Sequence, residues 1–190
     1  TEQSQYVDII RTSGENLLSI INDILDFSKV EPGNVAIEKQ DFSLENTLEE
    51  VLDVFGSKAA NAGIDIIYNV CPNVPKHITS DKIRLSQILT NLLENALRYT
   101  HKGEILINVQ LRDTGEGNAV ELGFEVHDTG IGMSRDQVNV LLADMSNLNS
   151  MLKKELGGVG LMICKKLVEL MGGTIHIEST AGKGTSVFFS

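Results

Sequence analysis

The sequence predicts an α+β fold, a two-layer α/β sandwich, preceded by one long helix of the coiled-coil type. Apolar residues recur with heptad spacing through residues 4–29, which is the pattern of a helix that packs along one seam. From residue 35 onward, segments with helical periodicity alternate with short runs that are typical of strands. Helices that cover a mixed, mostly antiparallel sheet give two layers.

The N-terminal helix is predicted from residues spaced alternately four and three positions apart. The seam consists of Tyr6, Ile10, Ser13, Leu17, Ile20, Ile24 and Phe27. A lone helix cannot bury such a seam, so we expect half of a helical hairpin in a dimeric four-helix bundle. Packing against its own domain is the alternative. Residues 31–34, Glu-Pro-Gly-Asn, end the helix and divide the chain into domains 1–30 and 31–190.

The second domain holds the remaining predicted elements, in chain order. Strands are predicted at residues 35–38, 64–70, 77–78, 104–111, 119–127, 174–178 and 185–189. Helices are predicted from Leu44 to about Ala60 with Ser43 as N-cap, from Asp81 to a stop at residues 101–103, from Ser134 to about Asp144, and at residues 159–170. The core side of the second of these helices is predicted to hold Ile83, Leu85, Ile88, Leu89, Leu92, Leu93 and Ala96.

The composition excludes several classes of protein. The chain has 190 residues, 42% of them hydrophobic, and no apolar run approaches the roughly 20 residues of a membrane span. Two cysteines, Cys71 and Cys164, and four scattered histidines argue against a disulfide framework and a zinc site. This cysteine usage suits a reducing compartment such as the cytoplasm.

Charge is distributed unevenly along the chain. The formal net charge is −10, and residues 1–55 hold 12 acidic and 3 basic side chains, whereas residues 56–190 hold 14 and 13. Such a chain lacks the basic surplus that nucleic-acid binding needs. A phosphate ligand would need a metal ion to offset its charge.

Three short stretches carry residues that suit nucleotide binding. Residues 127–133, His-Asp-Thr-Gly-Ile-Gly-Met, follow a predicted strand. A carboxylate there can accept a hydrogen bond from an exocyclic amine, and glycines let the backbone approach a flat ring; an ordinary turn is the alternative. Residues 157–161, Gly-Gly-Val-Gly-Leu, open a helix whose free N–H groups can hold phosphates; an ordinary glycine-rich loop is the alternative.

The third stretch lies within a predicted helix, at residues 91–100, Asn-Leu-Leu-Glu-Asn-Ala-Leu-Arg-Tyr-Thr. Asn91, Asn95 and Arg98 share one strip because they are four and three residues apart. Asn91 and Asn95 can therefore point into one pocket, although two solvated asparagines would fit the same pattern.

The order Asn-x3-Asn, Asp-x-Gly-x-Gly and Gly-x-Gly-Leu is more specific than any one part. In this order the chain resembles, over nearly its whole length, the ATP-binding catalytic domain of sensor histidine kinases, which has the Bergerat fold of the GHKL superfamily. NLLENALRYT resembles the N box, HDTGIGM the first glycine box and GGVGL the second. Residues 1–30 resemble the second helix of the dimerisation and histidine-phosphotransfer domain of hybrid kinases.

The resemblance implies ATP and Mg²⁺ as ligands and assigns roles near the phosphates. Asn95 would coordinate Mg²⁺ through its amide oxygen, Asn91 would lie beside metal or phosphates, and Arg98 would contact phosphate oxygens. Backbone groups at Gly158, Gly160 and Leu161 would hold the phosphates.

The resemblance also assigns roles near the base. Asp128 would accept a hydrogen bond from the adenine amino group, and Tyr99 would border the ring. Gly130 and Gly132 would allow close approach of the nucleotide. Thr185 would reach the adenine edge, directly or through water.

One position bears on the reaction type. GHKL hydrolases have a glutamate four residues before the metal-binding asparagine, and this chain has Asn91 there, which cannot act as a general base. Glu94 projects about 100° away from Asn95 around the helix. The sequence therefore favours transfer of the γ-phosphate to a histidine, for relay to the aspartate of a response-regulator receiver domain, over ATP hydrolysis.

Three departures from the family pattern keep alternatives open. No histidine lies in the N-terminal helix, so we expect the acceptor histidine elsewhere in a longer sensor protein. The lid is predicted at residues 145–157, but the family's phenylalanine-containing lid motif is not recognisable at residues 141–149. Met162 replaces the last glycine of the second glycine box. A degenerate kinase that acts as a regulatory or dimerisation module, or less readily a GHKL ATPase, is the alternative.

Overall fold

The computed structural model describes residues 36–114, 119–144 and 158–190. This part of the chain contains four helices and seven strands. The helices are α1 (Leu44–Ala62), α2 (Lys82–Tyr99), α3 (Arg135–Asp144) and α4 (Gly158–Leu170). The strands are β1 (Gln40–Ser43), β2 (Ile64–Val70), β3 (His77–Ser80), β4 (Gly103–Thr114), β5 (Val120–Asp128), β6 (Ile175–Thr180) and β7 (Gly184–Phe189). The predicted helix at residues 4–29 and the predicted lid at 145–157 lie outside the described residues.

Five strands form one mixed sheet in the order β2-β4-β5-β7-β6. β2 pairs with β4 in parallel, and the other neighbours are antiparallel. The register places Asp128 opposite Thr185, and Thr185 opposite Ser179, so the ends of β5, β7 and β6 form one cross-strand row. This row becomes the floor of the candidate site.

The helices α1, α2 and α4 cover one face of the sheet with an apolar layer. α1 lies against β2, α2 against β4 and β5, and α4 against α2. Alternate residues of β4 and β5 point into this layer, and the rings of Phe124 and Phe189 stack with centroids 4.7 Å apart. The predicted two-layer α+β sandwich is thus confirmed.

Local capping explains where α1 begins and ends. The Ser43 side chain accepts a hydrogen bond from the N–H of Asn46 at 3.3 Å, as predicted for an N-cap. Leu44, Leu48 and Phe55 form the buried stripe. Gly63 ends the helix at φ 66°, a left-handed conformation in which an L side chain would be strained.

α2 begins at a buried aspartate that caps it. Asp81 is 2% exposed, and one carboxylate oxygen accepts from the N–H of Arg84 at 3.0 Å. The predicted core of α2 is correct for six of its seven members, but Ile83 is 60% exposed. The first turn of α2 lies at the surface, where Lys82 pairs with Glu50 at 2.7 Å.

The prediction of a strand at residues 35–38 was wrong. Residues 36–39 have no regular structure. The first strand, β1, begins two residues after the end of the predicted one and pairs antiparallel with β3. Phe42, 8% exposed, is the buried residue of β1 and lies opposite Ile78 of β3. The N–H of Glu38 instead donates to the carboxylate of Asp81 at 3.0 Å. Among the described residues, no helix has the length and apolarity to cross a membrane.

Candidate nucleotide-binding site

The carboxylate of Asp128 is buried at the end of β5, with the residue 8% exposed. One oxygen accepts a hydrogen bond from the N–H of Gly130 at 2.9 Å. Burial raises the pKa of Asp128 above its ordinary value, and the N–H groups of Gly130 and Thr185 and the neighbouring His127 act in the opposite direction. An ionised carboxylate has about four acceptor sites, so Asp128 can accept from a ligand amine in addition.

The glycines of the first glycine box are required by the protein's own backbone. A Cβ on Gly130 would lie 2.4 Å from the carbonyl oxygen of Tyr99, and a Cβ on Gly132 would lie 2.0 Å from that of Thr180. Gly132 also has φ 60°. Both positions admit only glycine because two chain segments meet there, a different reason from close approach to a ligand.

Residues 130–133, which we call the glycine loop, are bonded to the β6–β7 hairpin. The N–H of Gly182 donates to the carbonyl of Ile131 at 2.7 Å, and the N–H of Met133 donates to the Ser179 hydroxyl at 2.8 Å. Ser179 also lies 2.9 Å from the Thr185 hydroxyl. Sequence reasoning missed Ser179, because nothing near it in the chain signals a partner 46 residues away.

The first turn of α4 lies against α2 at the two asparagines. A Cβ on Gly160 would be 3.8 Å from Asn95 Nδ2 and 3.9 Å from the Cγ of Asn91. The N box and the second glycine box, separated by about 60 residues of chain, are therefore neighbours, as the resemblance implies. The open N–H groups of the first turn of a helix attract anions.

One polar atom here has no partner. The Nδ2 of Asn91 is buried and makes no hydrogen bond within the described part of the chain, and the same is true of Thr100 Oγ1 at the end of α2. A buried polar atom without a partner costs about 1–3 kcal/mol. The arrangement thus fits a ligand that bonds to Asn91, with the N–H groups of α4 nearby.

The remaining residues lie at the end of α2 and in the first turns of α4. Arg98 is exposed on the last turn of α2, and Tyr99 is half-buried, with its carbonyl accepting from the N–H of Ile131 at 3.1 Å. Leu161 and Met162 are 7% and 4% exposed. The Met162 side chain therefore belongs to the core rather than to an open phosphate surface.

The residues suited to a metal ion are few. Among the described residues, no group of three or more His, Cys, Asp or Glu side chains has the arrangement of a metal site. Mg²⁺ commonly uses one or two protein oxygens and keeps several waters. An ion held mainly by a triphosphate and the amide oxygen of Asn95 fits that chemistry.

Two family models match the chain. Residues 80–190 match the model described as histidine kinase-, DNA gyrase B-, and HSP90-like ATPase, and residues 1–33 match that of the His Kinase A (phospho-acceptor) domain. Sensor protein GacS of Pseudomonas syringae pv. syringae is 38% identical over 190 residues, and signal transduction histidine-protein kinase BarA of Escherichia coli (strain K12) is 37% identical over 189. These alignments cover 99% and 98% of this chain but 21% and 20% of the relatives, so the chain spans about a fifth of their length.

Solved structures share the fold. Full-length ShkA in complex with AMPPNP matches 100% of this chain and 38% of its own, with a TM-score of 0.77 and 30% identity. The histidine kinase ThkA in complex with response regulator protein TrrA matches 97% of this chain and 49% of its own, with a TM-score of 0.73 and 26% identity.

Proposed function

Because the chain belongs to the family of histidine kinase-, DNA gyrase B- and HSP90-like ATPases, we propose that its catalytic domain binds ATP and transfers the γ-phosphate to a histidine. The two domains are proposed to divide near residue 30. The phosphoryl group then passes to an aspartate of a response-regulator receiver domain. The similarity to the sensor protein GacS and the histidine-protein kinase BarA over 98–99% of the chain supports this function.

Asp128 carries the proposal for ATP. It is a buried acceptor at the open end of a strand, beside a loop whose shape is fixed by two obligatory glycines. Backbone N–H groups of Gly130 and Thr185 offset part of the cost of burying this carboxylate, and its remaining acceptor sites suit a ligand that donates hydrogen bonds. An adenine amino group is such a donor, and the carbonyl of guanine at the same place would be repelled. Thr185 lies opposite Asp128, and Tyr99 adjoins the loop.

The phosphates are proposed to lie between α2 and the start of α4. Asn91, Asn95 and the first turn of α4 are close together, and the buried amide nitrogen of Asn91 has no partner among the described residues. The N–H groups at Gly158, Gly160 and Leu161 are suited to phosphate oxygens, and Arg98 would add charge from the surface. Mg²⁺, held by Asn95, would neutralise charge on the triphosphate.

Transfer to a protein acceptor fits the site better than hydrolysis. An asparagine at position 91 can orient a group but cannot take a proton from water at neutral pH. Positioning and charge neutralisation are the main means by which phosphoryl transfer is catalysed. The match of residues 1–33 to a phospho-acceptor domain supports a histidine as acceptor.

The partners belong to the same proposal. We propose that the acceptor histidine lies elsewhere in a longer protein, that this protein dimerises through the N-terminal helix, and that the reaction occurs in the cytoplasm, where ATP is available. The ThkA–TrrA complex supports a receiver domain as the next acceptor.

A phosphotransfer assay tests the function. The chain is mixed with labelled ATP, Mg²⁺ and a separately produced, complete phospho-acceptor domain of the family that residues 1–33 match. We expect label on the acceptor domain, lost in Asn95→Ala and retained in Glu94→Ala, the exposed neighbour on the same helix. ATP binding without transfer would support the regulatory alternative, and steady release of phosphate without an acceptor would support an ATPase.

A further inference from the structure

We propose that Ser179 is a positioning residue for the base of the nucleotide, because its hydroxyl joins the glycine loop to Thr185. This inference rests on the proposed function, since it concerns the same site. Ser179 lies on β6, a strand that contributes none of the residues predicted to touch the nucleotide.

Three segments meet at the Ser179 hydroxyl. Its oxygen is 2.8 Å from the N of Met133 at the end of the glycine loop, 3.0 Å from the carbonyl oxygen of Gly184, and 2.9 Å from Thr185 Oγ1. The cross-strand register places Ser179 beside Thr185 and Thr185 beside Asp128. A displacement of the Ser179 hydroxyl would therefore disturb both the glycine loop, through Met133, and Thr185.

A count of protons assigns a direction to these bonds. The N–H of Met133 can only donate, and the carbonyl of Gly184 can only accept, whereas a hydroxyl has one proton and two lone pairs. If Ser179 accepts from Met133 and donates to Gly184, the Thr185 hydroxyl must donate to Ser179. The Thr185 oxygen is then left with lone pairs only, which makes it an acceptor beside Asp128. Two neighbouring acceptors suit an exocyclic amine or a water that bridges to the base.

The same hairpin provides a matched control on its other face. Ser186 is half-buried like Ser179, and its hydroxyl lies 2.8 Å from His127 Nδ1 and 3.2 Å from Glu125 Oε1. It follows Thr185 directly, but it points to the side of the sheet opposite Thr185. Loss of either serine hydroxyl removes comparable bonds, and only the loss at Ser179 affects the glycine loop.

The experiment compares Ser179→Ala, Ser186→Ala and Ser179→Thr in the full chain. Thermal unfolding first checks that all three are folded, and calorimetry then measures ADP and ATP affinity. We expect Ser179→Ala to weaken both nucleotides equally, by about three- to tenfold, the net value of one or two hydrogen bonds. Ser186→Ala should change affinity less than twofold, and Ser179→Thr should restore most of it.

Amide hydrogen exchange without nucleotide tests the link itself. We expect the Met133 amide to lose protection in Ser179→Ala and to keep it in Ser186→Ala. Equal affinities for Ser179→Ala and Ser186→Ala, or a loss confined to ATP, would overturn this proposal while the proposed function stands. Failure of the unsubstituted chain to bind either nucleotide would overturn both.

Discussion

The two halves of the candidate site differ in how completely their polar groups are bonded. In the base corner, by which we mean Asp128, the glycine loop, Ser179 and Thr185, side chains bond to backbone and to one another at 2.8–3.0 Å. On the phosphate side, which comprises Asn91, Asn95 and Gly160, the buried amide nitrogen of Asn91 lacks a partner among the described residues, and a Cβ on Gly160 would meet nothing closer than 3.8 Å.

Under the proposed function, the two halves would therefore bind parts of the same ligand in different ways. The hydrogen bonds of the base corner are formed without a ligand, so under the proposed function nucleotide binding there would cost little ordering of the chain. On the phosphate side the amide nitrogen of Asn91 has no partner among the described residues, so the proposed function predicts a cost in stability that a bound ligand would offset. Substitutions should therefore affect the two halves in opposite ways.

The largest effect is expected at Asp128. Asp128→Asn keeps the shape but replaces an acceptor with an N–H donor that faces the adenine amine. We expect adenine nucleotide affinity to fall about 100-fold, because hydrogen bonds to charged groups contribute about 1.5–3 kcal/mol. Calorimetric titration with ADP measures this, with Asp65→Asn, an exposed residue of β2, as the control. A loss below fivefold would remove Asp128 as the base acceptor.

The two glycines Gly130 and Gly160 should respond differently to the same substitution. Gly130→Ala places a Cβ 2.4 Å from a backbone oxygen, and we expect about 1–3 kcal/mol of lost stability. Gly160→Ala meets nothing closer than 3.8 Å within a helix, and we expect about 0.5–1 kcal/mol of gained stability.

Chemical denaturation measures the free energy of unfolding of both glycine variants. Nucleotide titration then compares their ligand affinities. If α4 holds the phosphates, Gly160→Ala should weaken ATP more than it weakens adenosine. Similar stability losses at the two glycines would mean that the phosphate side is as tightly packed as the base corner.

Asn91 allows the cost of an unsatisfied amide to be measured. Asn91→Leu removes the unpartnered donor with little change in size, and we expect about 1 kcal/mol of gained stability, or about 2–4 °C in melting temperature. ATP affinity should fall in the same variant. A lower melting temperature would show that the amide is already satisfied, which would contradict the comparison made above.

The pH dependence of Asp128 gives the smallest expected effect. Because burial raises its pKa, the folded protein holds this proton to higher pH than the unfolded chain does. The resulting stabilisation is present below the unfolded pKa, near 3.9, and is lost as pH rises through the folded pKa. The melting temperature of Asp128→Asn minus that of the unsubstituted chain should therefore become more positive from pH 4 to pH 7. A flat difference would indicate compensation by neighbouring groups.

Local signals made much of the fold predictable. The N-cap Ser43, the start of α2 at Asp81 and the alternation in β5 are each signalled within a few residues of the element concerned. The position of β1 was missed because it depends on pairing with β3, about 35 residues further along the chain. Ile83 was misplaced because helical periodicity does not show that the first turn of α2 lies at the surface.

The sequence predicted which residues of the candidate site lie together where they share one helix. The spacing of Asn91 and Asn95 placed them on one strip, and the structure brings Gly160 next to both. Ser179 has no signal of its own, because its three partners are defined only by sheet register and loop position. The reason for Gly130 and Gly132 was also hidden, since it lies in backbone carbonyls of Tyr99 and Thr180. The ligand roles of these residues stay predictions.

The double role of Asp81 sets a lower limit on what can fold alone. One carboxylate oxygen accepts from the N–H of Arg84 and the other from the N–H of Glu38. In the sequence, Glu38 precedes β1, α1 and β2, whereas Arg84 follows them. A shortened protein that starts at residue 80, where the family match starts, would leave a buried oxygen without its donor. It would also remove α1 from the sheet. We therefore expect the unit that folds alone to start before Glu38, some forty residues upstream of the family match.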